Sequence, residues 1–343
     1  MLTIKAVAIG DPARNGIITS RAQADALGRR KYVGGLIDGL NALDTAPPTN
    51  YRLGTDYRID YRETDANGLP AVFSNTDALV FAMSTNVVTA AETFSAQMPI
   101  VGIVSDPDIP PGENFKRYGN ICGVSAKRHQ KAATCLDDFL NSVTNPYFQN
   151  IVVLRFVRAP VYHPSDRAWN LVNAEASKHK APILPVNVTA YDYNYPSAQT
   201  IAAWLSAMPQ QKWQLPNCGI LVLPVDLFFA NAGTIIDVAQ NQGWGPVGNK
   251  QKLPTFFFTT DWVGSNPATS ALGAYGVPQY RCGQLMATMV NVVRTSGVPA
   301  NANNRWIDAA DTDFKWLTNG TVANRLGYAA NTQAPPNGPD RVF

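Results

Sequence analysis

The chain has 343 residues, enough for two domains of ordinary size, and its 45% hydrophobic and 15% charged residues leave a surface built largely on neutral polar groups. A net charge of +3 with dispersed Lys and Arg forms no basic stripe, which argues against nucleic-acid binding. No apolar run approaches the roughly 18–20 residues that span a bilayer, and this argues against membrane insertion.

Cys122, Cys135, Cys218 and Cys282 are scattered without a CxxC pair, so free and mostly buried thiols are expected rather than a disulfide framework. His129, His163 and His179 show no metal-ligand spacing. No metal site and no cofactor is expected.

In chain order, residues 1–10 predict a first strand rather than a signal peptide, since a basic leader and a small-residue cleavage site are missing. Either the protein is cytoplasmic or a leader has been removed and its place is periplasmic or otherwise extracytoplasmic. Asp11 to Gly28 is expected as a polar loop. Arg30 to Leu43 predicts a helix on the spacing of Val33, Leu36, Ile37, Leu40 and Leu43, broken by Pro47-Pro48. Tyr57 to Arg62 alternates as a strand near a sheet edge.

The stretch from Thr76 to Pro107 organises the rest. Ala78 to Met83 and Ile100 to Val104 are short continuous apolar runs separated by a helical pattern, as two parallel strands joined by a crossover helix would be. Their carboxyl ends carry Ser84, Thr85 and Asn86, and Ser105 and Asp106, at the edge where open α/β sheets bind ligands. The helix opening near Asn86 suits an anion. Equally, Ser84 and Asn86 cap a helix and Asp106 starts a turn before proline.

Beyond the proline-rich turn at 108–114, a first candidate crossing between domains, Gly123-Val124-Ser125 is expected to introduce a helix over Ala126 to Leu140. Strands at 151–157, 183–188, 218–223 and 255–259 then alternate with helices at 165–179, 198–208 and 230–242, which predicts a second parallel sheet layered by helices. A short strand at 271–277, an amphipathic helix at 281–293, the segment Trp306 to Leu317 and a helix at 321–326 follow.

Polar and aromatic residues gather again at strand ends in this half. Tyr162 follows the strand at Ile151, Asp226 and Phe228 the strand at Cys218, Asp261 and Trp262 the strand at Thr255, and Tyr275 closes the late strand. With Asp106 they could hold a ligand that has an ammonium, a carboxylate and an apolar or aromatic body, while each aromatic taken singly also fits core or hinge packing. A GxSxG motif and a Gly-rich phosphate loop are absent, which gives catalysis little support.

VAIGDP, TDALVFAMSTNVVTAA, MPIVGIVSDP, GNICGVS, GILVLPVD, LPTFFFTTDWV and ALGAYGVPQYRCGQLMA, in this order and spacing, resemble the substrate-binding proteins of ABC transporters, in particular the tryptophan-binding TrpX-like group. The resemblance runs to about Leu326. It implies the type I periplasmic-binding-protein fold: α/β, two Rossmann-like lobes with parallel sheets layered by helices, joined by a three-crossing hinge. Residues 1–111 with 267–299 would form one lobe, 112–266 with 300–328 the other, and 329–343 a loose tail.

It also implies a non-catalytic, monomeric solute-binding protein that captures a small molecule, an amino acid or related carboxylated or aromatic compound, and presents it to a membrane permease. By similarity Ser84, Thr85, Asn86, Ser105 and Asp106 would bind from the first lobe, Asp226 and Asp261 from the second, and Tyr275 from a strand returning to the first. The chain departs from the family pattern in the insertion at 12–29, in lacking a lipid-attachment cysteine at its start, and in the aromatic set Phe228, Phe229 and Trp262. The alternative reading is a cytoplasmic ligand-sensing or regulatory module on the same fold. An enzyme of racemase or dehydrogenase type would need paired reactive cysteines or a cofactor loop.

Overall fold

The computed structural model describes residues 1–9, 12–28, 31–43, 52–64, 79–82, 99–109, 113–114, 119–157, 164–178, 186–195, 197–333 and 340–342. In chain order its strands are β1 (Leu2–Ile9), β2 (Gly16–Ile18), β3 (Tyr57–Thr64), β4 (Leu79–Ala82), β5 (Ile100–Val104), β6 (Asp108–Ile109), β7 (Glu113–Asn114), β8 (Ile121–Ser125), β9 (Val143–Asn145), β10 (Asn150–Val157), β11 (Asn187–Asn194), β12 (Cys218–Val222), β13 (Thr255–Phe257), β14 (Gly273–Gly276), β15 (Trp306–Asp308), β16 (Lys315–Thr318), β17 (Ala329–Ala330) and β18 (Arg341–Val342).

Two compact units share them. Met1–Lys127 with Val277–Asp313 makes the first, Arg128–Gly276 with Phe314–Phe343 the second, and the chain passes between them three times.

Among the described residues, the first unit holds a seven-stranded sheet of order β15-β8-β5-β4-β1-β3-β2. All neighbours are parallel except β2, which runs antiparallel to β3. Every residue of β5 is buried, the mark of a parallel strand covered on both faces.

The helix Lys31–Leu43 buries Tyr32, Val33, Leu36, Ile37 and Leu40 at helical spacing, and it packs against the helix Gln279–Ser296. Their approach requires glycine. A Cβ at Gly283 would lie 2.1 Å from the Tyr32 carbonyl oxygen, and one at Gly35 would lie 1.9 Å from that of Tyr280.

The second unit holds the sheet β11-β10-β12-β13-β14-β16-β18, parallel from β11 to β14. Alternation along its strands divides the apolar residues between two cores. Val152, Leu154, Ile220, Val222 and Phe257 face Trp204, Leu205 and Ile235, whereas Ile151, Val153, Leu221 and Phe256 face Leu136, Phe139 and Val172. Phe139 stacks on Phe256 with ring centroids 5.0 Å apart.

Several expectations are corrected. Ser20 and Gln23 form a reciprocal capping box, so the segment expected as a polar loop folds into β2 and the helix Arg21–Asp25, which Arg21 ties to Asp38. Residues 121–125 form β8, paired residue for residue with β5, and the following helix begins only at Ala132. This pairing carries the first unit past 111 to Lys127.

The strand expected at 183–188 is instead β11, held by Tyr191 stacked on Trp204 at 4.5 Å; residues 179–185 lie outside the described set. The segment Trp306 to Leu317 divides between the units, β15 joining β8 and β16 joining β14. The described residues of the segment expected as a loose tail, 329–333 and 340–342, are docked. Asp340 accepts the Trp316 N–H at 2.6 Å, β18 pairs with β16, and β17 pairs with β9.

Candidate functional site

In the first unit the carboxyl ends of β1, β4, β5, β8 and β15 share one edge because these strands are parallel. The Ala126 N–H closes on the Val104 carbonyl at 2.8 Å, and the Ala309 N–H on that of Ser125 at 2.9 Å, so the three strand ends β5, β8 and β15 are tied together. Ser105 is half-buried and Asp106 is 1% exposed just beyond β5. Ser125 ends β8 with its Oγ wholly buried and, among the described residues, without a hydrogen-bond partner. Lys127 follows at φ 48, a left-handed conformation unfavourable for a side chain-bearing residue, and pairs with Asp308 at 3.3 Å. Ser84, Thr85 and Asn86 lie outside the described residues.

In the second unit the carboxyl ends of β10, β12, β13 and β14 likewise share an edge. Tyr162 and His163 lie outside the described residues. Asp226 opens the helix Asp226–Ala230 directly after β12; its side chain is not among those described.

After β13, the Thr259 hydroxyl donates to Asp261 at 2.7 Å, which fixes that carboxylate. Half-buried Trp262 sits with its ring 6.3 Å from Phe257. Tyr275, also half-buried, stacks on Phe314 at 5.4 Å. Asp226, Asp261, Trp262 and Tyr275 thus belong to one sheet edge, and Ser105 and Asp106 to that of the other sheet.

Two of the expected placements are corrected. Phe228 is 0% exposed and stacks on Trp204 at 5.8 Å with an interplanar angle of 7°, so it packs in a core rather than standing at the sheet edge. Tyr275 does not return to the first unit, because β14 is hydrogen-bonded between β13 and β16 of the second.

All four cysteines are buried, and none of them forms a disulfide. Burial pushes the thiols of Cys122 and Cys218 up to about 12, so at neutral pH they remain protonated and are poor nucleophiles. Among the described residues no cluster of His, Cys, Asp and Glu could hold a metal ion.

Sequence reasoning overlooked Arg128 and Ser125. Arg128 is 6% exposed, and its guanidinium lies over the Phe229 ring at 5.3 Å. The signal was the basic triplet Lys127-Arg128-His129 directly after the largely apolar run from Ile121 to Ala126, hidden by its assignment to a helix.

No protein-family model matches the chain, and no curated relative matches it. Solved structures do. An ABC domain from Streptococcus pneumoniae, crystallised in complex with L-Trp, superposes at a TM-score of 0.66 with 16% identity, covering 100% of this chain and 99% of that one. A conserved domain protein from Vibrio cholerae gives 0.64 with 17% identity and 96% coverage of both chains. The ligand-free, open form of a substrate-binding protein with adhesive properties from Clostridium difficile gives 0.56 with 15% identity, covering 100% and 99%.

The chain has the type I periplasmic-binding-protein fold.

In this chain the fold is threaded by three passages between the units, and β15 returns late to the first sheet. The polar strand ends described above occupy the carboxyl edges of both Rossmann-like sheets, where this architecture offers side chains to a ligand.

Proposed function

We propose that the protein is the solute-binding component of an ABC importer, acting outside the cytoplasm as a monomer and delivering its ligand to a membrane permease. The ligand is a small molecule, an amino acid or related carboxylated or aromatic compound, contacted by strand ends of both units. Ser84, Thr85, Asn86, Ser105 and Asp106 supply the first unit's share; Tyr162, Asp226, Asp261, Trp262 and Tyr275 supply the second's.

The observation that carries this reading is the end-to-end likeness in fold to a protein crystallised with L-Trp, joined to polar residues at the carboxyl edges of both sheets. The chemistry agrees. Asp106 and Asp261 suit an ammonium, the Ser and Thr hydroxyls suit a carboxylate, and Trp262 and Tyr275 offer apolar faces. A non-enzymatic role is supported by the protonated cysteines.

Calorimetric titration of the folded chain with the twenty amino acids and a set of aromatic acids tests the reading. Saturable 1:1 binding of at least one compound is expected; the absence of heat from every compound would reject it. Cell fractionation of the source organism should recover the protein outside the cytoplasmic membrane.

A further inference from the structure

Among the described residues, one deeply buried guanidinium has no carboxylate paired with it. Arg128 is the first residue of the second unit and is 6% exposed, yet among the described residues its Nε has no hydrogen-bond partner and no carboxylate pairs with it. Other arginines behave differently. Arg155, with 22% of its side chain exposed, is bound by both oxygens of Asp192 at 2.8 and 2.7 Å. Arg281, 43% exposed, pairs with Asp313 at 2.7 Å, and Arg21, 41% exposed, pairs with Asp25 and Asp38.

Withdrawing a guanidinium from water is costly unless charge and hydrogen bonds replace the water. Folding has done so for the wetter arginines and not for this one. Phe229 alone of the described residues answers its charge, through the ring face at 5.3 Å, and a ring face satisfies none of the N–H donors. Phe229 belongs to the helix Asp226–Ala230 directly after β12, so the cation stands at the carboxyl edge of the second sheet.

We propose that Arg128 is a ligand-recognising residue whose guanidinium receives the carboxylate of an organic acid bound at this edge. The inference rests on the solute-binding reading and adds to it the charge of the ligand and the residue that reads that charge. A planar fork of N–H donors held over an aromatic ring matches a carboxylate in geometry as well as in sign. An organic acid fits better than a bare inorganic anion, because Trp262 and Tyr275 on the same edge offer surface to an apolar body.

Two measurements on the full chain decide it. In the first, wild type and Arg128→Gln are titrated with L-tryptophan, L-tyrosine, indole-3-acetate and benzoate, with the amide of each, and with inorganic phosphate. Wild type should bind an acid in preference to its amide, and the substitution should weaken the acid by about 100-fold while changing the amide by less than about 3-fold. Equal affinity of both proteins for the acid overturns the assignment of Arg128 and leaves the solute-binding reading standing. Tight phosphate binding that excludes every organic acid overturns the organic-acid class.

In the second, Arg128→Met is melted without ligand. An unanswered buried charge replaced by an apolar chain of similar length should raise the melting temperature by roughly 2–4 °C. A lower melting temperature would show that Arg128 serves the fold and would refute the proposal even if no compound in the panel bound.

Discussion

Asp138 lies on the helix Ala132–Leu140, close to its carboxyl end, where the helix dipole already disfavours negative charge. Its Oδ2 is buried and has no hydrogen-bond partner among the described residues, and Asp137 and Asp340 stand nearby. Burial first, and these two carboxylates second, push Asp138 up from its ordinary value of 3.8 to about 7.

The folded protein therefore holds a proton that the unfolded chain releases. The stabilisation this brings is full below about pH 4 and is lost as pH rises towards 7. At about 1.4 kcal/mol per pH unit of separation, the loss is bounded near 4 kcal/mol, and solvent reaching the partly exposed side chain reduces it to about 2 kcal/mol.

Asp138→Asn stays neutral at every pH. It should therefore stabilise the protein by about 2 kcal/mol at pH 8 and by almost nothing at pH 4. Urea unfolding of both proteins from pH 4 to 8, followed by circular dichroism, measures this. Parallel stability curves for the two proteins, or a weaker variant at pH 8, would refute the reasoning.

Three further substitutions separate packing from binding. Gly283→Ala places a methyl group 2.1 Å from the Tyr32 carbonyl oxygen, so the helices must part and urea unfolding should show a loss of about 2–4 kcal/mol. Phe228→Ala should lose about 3–5 kcal/mol of stability, because the ring is wholly buried against Trp204; ligand affinity of the protein that remains folded should be unchanged. Asp106→Asn should keep its circular dichroism spectrum and lose about 10- to 100-fold in affinity for an amino acid. Undiminished affinity would remove Asp106 from the site.

The parts of the fold that were legible in the sequence are those in which one short segment carries its own signal. Ile100–Val104 is a continuous apolar run, and the structure buries all five residues. The helix Gln279–Ser296 repeats its apolar residues at helical spacing.

What escaped depends on partners far along the chain. Ile121–Ser125 is a strand because Ile100–Val104 lies beside it, while its Gly and Ser residues carry weak strand preference. Trp306–Asp308 and Lys315–Thr318 are close in sequence yet belong to different units, which local pattern does not reveal. Strand-end logic located Ser105, Asp106, Asp261 and Trp262 at sheet edges. It failed at Phe228, since the face of a short helix that turns inward is decided by Trp204 across the core. Arg128 was invisible because the ring its guanidinium meets, Phe229, lies about a hundred residues away.

The most direct measurement is the crystal structure of the protein with the tightest-binding compound from the titration panel. The account predicts ligand density in contact with Asp106 from the first unit and with Asp261 or Tyr275 from the second. Density confined to a surface remote from both sheets' carboxyl edges, with these side chains untouched, would contradict it.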